Sequence, residues 1–339
     1  MALDNAPSRD LLFSVANDSI DAARSELVDI SLDIHTHPEL NYEEYHAAKV
    51  LADALERHGM HVERGVGGVE TAFRATMNGG AGSGPTVAIL AEYDALPEIG
   101  HGCGHNLIAM AGMAAGLGVL ANLQSLHGRV MVIGTPAEEG GGGKIRLIEE
   151  GAFEGVAAAL MVHPSGSEVE RITSLAVQKV RVVYHGFAAH AAAAPEQGIN
   201  ALDGAVLGYV NVAALRQHIA ADERIHGIIV DGGQKANIVP VRAEALWYAR
   251  SPTRARLEVL KQRLQACLEA GAAAAGCTME HEWVQPSYDD VIDSRPVLDR
   301  YLANARSLGR DPRPDSEVAI VGSTDLGNVS YLVPSIHPM

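Results

Sequence analysis

Three apolar stretches constrain this chain more than anything else in it. TVAILAEYD (Thr86–Asp94), RVMVIGTPAEE (Arg129–Glu139) and AALMVHP (Ala158–Pro164) each read as a buried strand. Each runs into polar chemistry at its C-terminal end: Asp94, the Glu138–Glu139 pair and His163. Helical patterns lie around them. Residues 18–33 and 42–58 are predicted helices, the second with apolar Val50, Leu51, Ala54 and Leu55 and a stop at Gly59. A long helix is predicted over 105–123, and Gly68–Asn78 alternates like a strand before the turn NGGAGSG. Strands alternating with helices predict an α/β layered domain. In open sheets of that kind, ligands bind at the C-terminal edge of the strands.

Around Ser174 the texture changes. SLAVQKVRVVYHG is a predicted strand and GINALDGAVLGYVNVAALRQHI an amphipathic helix. IHGIIVDGG and RAEALWYAR follow as strands, then a long helix ending AGAAAAG, then the strand TMEHEWVQ. The order β-α-β-β-α-β is that of a ferredoxin-like unit. It is predicted as an insertion over 174–285, with 1–173 and 286–339 forming one discontinuous domain.

The tract Leu107–Leu123 approaches membrane-spanning length. It opens directly from a polar cluster and no other segment resembles a span, so it reads as a core helix and no membrane contact is expected. The formal net charge of -16 argues against nucleic-acid binding, which needs a clustered basic face. The same field repels anions, so an anionic substrate needs its own local positive groups. The opening MALDNAPSRD has no secretory pattern. Three cysteines, an odd and sparse set, fit a reducing, cytoplasmic compartment.

Cys103 and His105 sit in GHGCGHN, where a glycine-rich turn lets residues two apart converge on one point. Cys103 precedes a predicted helix N-terminus, whose dipole favours thiolate. Thiolate and imidazole are good zinc ligands, and His163 offers another imidazole. Glu138 and Glu139, adjacent in an extended segment, point opposite ways. One can bind metal while the other serves as general base, the layout of metal-assisted hydrolysis. Two other signals fail. EEGGGGKI has Glu138 where a phosphate loop needs glycine and Ile145 where it needs Ser or Thr. His35 and His37 in DIHTHPEL read as a helix terminus near a substrate mouth rather than as ligands.

DIHTHPELNYEEYHAA, AEYDALPEIGHGCGHN, GTPAEEGGGGK and MVHP resemble the zinc aminoacylase/carboxypeptidase family, peptidase family M-20, subfamily D. So do GFAAHAAAAPEQGINALDGAV, GGQKANIVPVRAEALWYAR and GSTDLGNVSYLVPSIHP. The resemblance covers nearly the whole chain and is strongest to the aminobenzoyl-glutamate hydrolases and related dipeptidases. It implies an α/β/α metallopeptidase domain of mixed sheet, with an inserted dimerisation lid and a homodimer. It implies two divalent ions, usually zinc, with manganese or cobalt as alternatives. Cys103, His105, Glu139 and His163 would be ligands, Glu138 the general base and Asp94 the carboxylate that orients a ligand. His190 would reach across the dimer, and Asn237 and Arg250 would hold the substrate carboxylate. The implied reaction is hydrolysis of an amide beside a free carboxylate, in an N-acyl amino acid, aminobenzoyl-glutamate or a dipeptide. The family's last histidine ligand comes after the PSIHP stretch, and His337 does not match it. The chain is therefore expected to be truncated with one metal site short of a ligand. That leaves an inactive, metal-poor binding protein as the alternative, beside an aminoacylase-like deacylase.

Overall fold

The computed structural model describes residues 7–317 and 321–339. In chain order the elements are α1 (Arg9–Ala22), α2 (Arg24–Thr36), α3 (Tyr45–Arg57), β1 (His61–Arg64), β2 (Phe73–Asn78) and β3 (Thr86–Ala91). There follow α4 (His105–Leu120), β4 (Arg129–Gly134), α5 (Gly143–Glu149), β5 (Val156–Leu160) and the two-residue β6 (Thr173–Ser174). Next come β7 (Ala176–His185), α6 (Ala201–Arg216), β8 (Arg224–Asp231), β9 (Arg242–Ser251), α7 (Arg254–Ala275) and β10 (Thr278–Tyr288). The last are α8 (Arg295–Ser307), β11 (Val321–Gly322), α9 (Leu326–Ser330) and β12 (Ser335–Ile336). They divide into two units, Met1–Thr173 with Val291–Met339, and Ser174–Asp290.

The first unit holds a mixed six-stranded sheet of order β1-β2-β4-β3-β5-β12. β4, β3, β5 and β12 run parallel, while β1 and β2 are antiparallel additions. Because β3, β4 and β5 point the same way, the residues that follow them emerge at one edge. This is the arrangement the three apolar stretches predict. α4 lies on the sheet with Ile108, Ala109, Met113 and Leu117 buried. At Gly112 and Gly116 an added Cβ would come within 2.9 Å of Ala91 Cβ and 2.8 Å of Val132 Cγ2. The glycines of this apolar tract thus let helix and sheet approach closely. α1 and α2 also pack against α4, which is why most of its apolar surface is covered, although Leu107 stays 43% exposed. Among the described residues no helix is long and apolar enough to cross a membrane.

Two differences from the sequence pattern stand out here. The single helix predicted over 18–33 is two helices, α1 and α2, meeting at Ala23. α1 buries no residue completely; it packs on α4 through partly buried side chains such as Ile20, a weaker pattern than that of a core helix. α3 starts at Tyr45 rather than at 42. The Glu39 carboxylate accepts from the amides of His46 and Ala47 at 2.9 and 3.0 Å, satisfying donors that a helix start leaves unpaired.

The second unit has the order β7-α6-β8-β9-α7-β10 and a four-stranded sheet, β10-β7-β9-β8, antiparallel throughout. Its core joins Trp247 and Tyr184 to Leu257, Leu260, Leu264 and Leu268 of α7, a helical spacing of three and four. Asn200 caps α6 by accepting from Leu202 and Asp203 amides, and Thr253 caps α7 by accepting from Arg256. β10 runs past Gln285 to Tyr288, because pairing with β7 resumes after a bulge.

Candidate active site

The site forms where the parallel strands end. After β3 the chain continues Glu92-Tyr93-Asp94. Alternation turns Tyr93 to the opposite side from its neighbours, where its hydroxyl donates to the Thr71 carbonyl at 2.6 Å. Asp94 is buried. Its Oδ1 lies 2.9 Å from His105 Nδ1, and its Oδ2 accepts from the Glu139 amide at 2.8 Å. One carboxylate thus ties the GHGCGHN turn to the Glu138–Glu139 turn. It also fixes the His105 ring. His105 Nε2 then faces three carboxylates: Glu92 Oε2 at 3.6 Å, Glu139 Oε1 at 3.9 Å and Glu138 Oε2 at 4.0 Å. His163 stands edge-on to His105, with ring centroids 5.8 Å apart. Its Nδ1 is 2.7 Å from the Pro164 carbonyl, which leaves Nε2 for other partners.

Ligand atoms of Glu92, His105 and His163 lie within 4.8 Å of one another, as do those of His105, Glu138 and Glu139. The donor chemistry fits a divalent cation. Glu92 Oε2 is buried without a hydrogen-bond partner, and acceptors crowd one point. Burial would lower His105, but the bond to Asp94 and the charges of Glu92, Asp94 and Glu138 outweigh it and hold the imidazole up at about 10. Burial, with the charges of Glu92 and Asp325, pushes Glu138 well above the usual carboxylate range. A bound divalent ion would offset the same clustered negative charge.

Cys103 is half-buried and belongs to neither group. Burial, a bond to Glu139 and the charges of Glu139, Glu138 and Asp94 push its thiol up to about 12. Burial and three nearby carboxylates thus oppose the pull of the helix terminus on the thiol, and a bound divalent ion would supply the positive charge that favours the thiolate.

The sequence reading missed Glu92, Lys144 and Asp325. Lys144 is fully buried, with Nζ 2.5 Å from Glu92 Oε1 and 2.6 Å from Asp325 Oδ1. Its amide donates to Asp325 Oδ2 at 2.9 Å. The lysine of the failed phosphate-loop pattern is the internal counter-ion of the site. Its glycines serve close packing. An added Cβ at Gly143 would fall 1.8 Å from the Pro136 carbonyl, and Gly142 sits at φ +67, where α5 begins. His337, which the family's ligand pattern does not match, also joins the site. It is buried, with its ring stacked on His163 at 5.5 Å. Burial and the charge of His163 push it down to about 4.

The segment after α2 brackets the Glu138–Glu139 turn. Asn41 Nδ2 donates to the Glu139 carbonyl at 3.0 Å and Tyr42 Oη to the Gly141 carbonyl at 2.7 Å. Glu44 Oε1 accepts from the Ala137 amide at 2.8 Å, holding Ala137 at φ 60, a conformation costly for a residue with a Cβ. Burial raises the Glu44 carboxyl from 4.5 to about 7. Since the folded value lies above the unfolded one, this group's contribution is full below pH 4.5 and is lost as pH rises towards 7. Glu44→Gln keeps the acceptor and removes the ionisation. Denaturation curves from acid to mildly alkaline pH are expected to show the variant gaining on the wild type, by on the order of 2–3 kcal/mol across that window. Parallel pH profiles would refute this.

His190, Asn237 and Arg250 lie in the second unit. The segments of His190 and Asn237 are paired: His190 bridges Ile238, and the Ala191 amide donates to the Asn237 carbonyl at 3.1 Å. His190 Nδ1 accepts from the amides of Ala192 and Ala193, so Nε2 remains for another partner. Arg250 is at the far end of β9 from Asn237. Its guanidinium lies 5.8 Å from the Tyr248 ring centre, and its Nε is 3.4 Å from His226 Nε2.

Comparison with known proteins agrees with this geometry. The family model for peptidase family M20/M25/M40 matches residues 88–336. The chain is 43% identical to Xaa-Arg dipeptidase of Mus musculus, over 98% of this chain and 80% of that protein. It is 35% identical to a p-aminobenzoyl-glutamate hydrolase subunit of Escherichia coli, over 79% of this chain and 60% of that protein. The solved structure of a Bacillus subtilis dinuclear metal binding peptidase superposes with a TM-score of 0.74 at 22% identity, covering 94% of this chain and 88% of that one. This chain is a hydrolase that belongs to peptidase family M20/M25/M40.

Proposed function

We propose that the chain is a dipeptidase that cleaves the amide bond preceding a C-terminal basic residue, and that it works with two divalent ions, zinc foremost, with manganese or cobalt as substitutes. The observation that carries the metal reading is the convergence of Glu92, Glu138 and Glu139 on His105 Nε2, with His163 beside it. The preference for a basic residue rests on the net charge of -16, which favours cationic over anionic substrates, and on the likeness to Xaa-Arg dipeptidase. Bound divalent ions supply water activation and carbonyl polarisation. Cys103, His105, Glu139 and His163 are the proposed ligands, and Asp94 orients His105. Glu138 takes a proton from the attacking water and passes it to the leaving amine.

His190, Asn237 and Arg250 are the proposed substrate contacts. β9 is 10 residues long and separates Asn237 from Arg250 by about 30 Å at the rise of a strand. A substrate met by both would take them from two copies of the chain, which favours a homodimer. Exposed Ile228 and Val230 on edge strand β8, and Val206 and Val210 on α6, suit such self-association. We read Ser174–Asp290 as the dimerisation lid. All three cysteines are free, in keeping with a cytoplasmic setting.

The test is a substrate panel with metal restored: Xaa-Arg and Xaa-Lys dipeptides, Xaa-Glu dipeptides, aminobenzoyl-glutamate and N-acetyl amino acids. The highest kcat/KM is expected for the basic dipeptides, lost with a chelator and regained with zinc, manganese or cobalt. Substoichiometric metal with no turnover of any substrate would favour the reading as an inactive, metal-poor binding protein instead. Arg250→Ala is expected to raise KM by about 10–100-fold with a smaller change in kcat, the loss of one charged hydrogen-bonding partner. Unchanged steady-state kinetics would remove Arg250 from the substrate site.

A further inference from the structure

We propose that Asp33, His37 and His46 form a second, peripheral metal site for one first-row transition-metal ion of the zinc, nickel or copper class. Asp33 lies in the last turn of α2 and His37 is the residue that caps its C-terminus. His46 comes from the first turn of α3. Asp33 Oδ2 is 2.8 Å from His46 Nε2, and Asp33 Oδ1 is 3.2 Å from His37 Nδ1. The two imidazoles sit with ring centroids 4.5 Å apart, tilted by 45°. One ligand atom from each of the three residues lies within 4.8 Å of the other two. Ligands bound to one zinc at about 2.0–2.2 Å stand roughly 3.4 Å apart, so closing the set takes a rotation of the exposed His37 ring that exchanges its 2.8 Å contact from Nδ1 to the Asp33 backbone carbonyl for the ion.

Two imidazoles and one carboxylate are a donor set for a borderline transition metal rather than for magnesium or calcium, which prefer oxygen alone. The side chains are between 37% and 56% exposed, so an ion can enter from solution and water can complete its coordination. The carbonyl end of α2 adds negative potential. The cluster shares no residue with the groups around His105. An ion here would tie the end of α2 to the start of α3 across the segment that carries Asn41, Tyr42 and Glu44. Those residues hold the Ala137–Gly141 backbone, so the peripheral ion would brace the turn that presents Glu138 and Glu139.

The test is titration of the metal-stripped protein with cobalt(II) and zinc(II), reading bound equivalents by dialysis and elemental analysis and cobalt by its visible absorption. His105→Ala is expected to retain one equivalent with a cobalt spectrum free of thiolate charge transfer. His37→Ala/His46→Ala, added to His105→Ala, is expected to lose that equivalent, together with the zinc-dependent rise in Tm. Asp33→Asn, which preserves shape, serves as the milder variant and is expected to weaken this binding by roughly tenfold or more. Equal equivalents with and without His37 and His46, or unchanged affinity in Asp33→Asn, would overturn the proposal.

Discussion

Glu138→Gln is expected to keep the fold and the capacity to bind metal while lowering kcat by about 10²–10⁴-fold, the usual contribution of a positioned general base. The glutamate is only 8% exposed, and glutamine fills the same space. What changes is the ability to accept a proton. Burial near Glu92 and Asp325 raises its proton affinity, and His105 and Lys144 oppose that rise. The carboxylate is therefore tuned by its neighbours rather than by exposure to water. The check is kcat and KM on a dipeptide substrate, with circular dichroism and metal content measured on the same preparation. Turnover close to the wild type would falsify the role given to Glu138.

Lys144→Met is expected to cost about 3–5 kcal/mol of folding stability, because it strands buried carboxylates without their counter-charge. Lys144, Glu92 and Asp325 are each no more than 1% exposed. Burial works against the ammonium, but Asp325 and Glu92 outweigh it and hold Lys144 charged. The two acids respond differently to the same lysine. Burial would raise Glu92, yet Lys144, His105 and His163 together hold it down at about 2. Asp325 lacks the two histidines, and burial lifts it to about 6 despite Lys144. Denaturant unfolding measures the loss. Adding Glu92→Gln and Asp325→Asn to Lys144→Met should recover part of it, since a neutral set leaves no buried charge unpaired. A loss below about 1 kcal/mol would mean that the triad behaves like a surface pair. Glu92 also faces His105 at 3.6 Å, so the single variant is expected to lose activity as well.

The strand ends were legible because burial has a period. An apolar run that stops at a carboxylate or histidine marks both the strand and the edge where it finishes, and parallel pairing of β3, β4 and β5 then brings Asp94, Glu138, Glu139 and His163 to one side. The second unit was legible for the same reason: its two helices and four strands alternate with clear caps at Asn200 and Thr253. Only the last turn of α1 fell within the predicted helix, since its side chains are no more than partly buried and leave a weak periodic signal.

From the sequence alone come the three parallel strands, the order of the second unit and the chemical types gathered at the strand ends, because those follow from local periodicity and from capping; the break between α1 and α2 and the helices α5, α8 and α9 do not. Only the tertiary structure decided which charges meet. Lys144 reaches Asp325 across 181 residues, His337 stacks on His163, and Glu92 turns inward beside Asp94. No local pattern specifies such partners. They are set by sheet register and loop closure, and by the cost of burying a charge, which is offset only when a distant residue arrives with the opposite one.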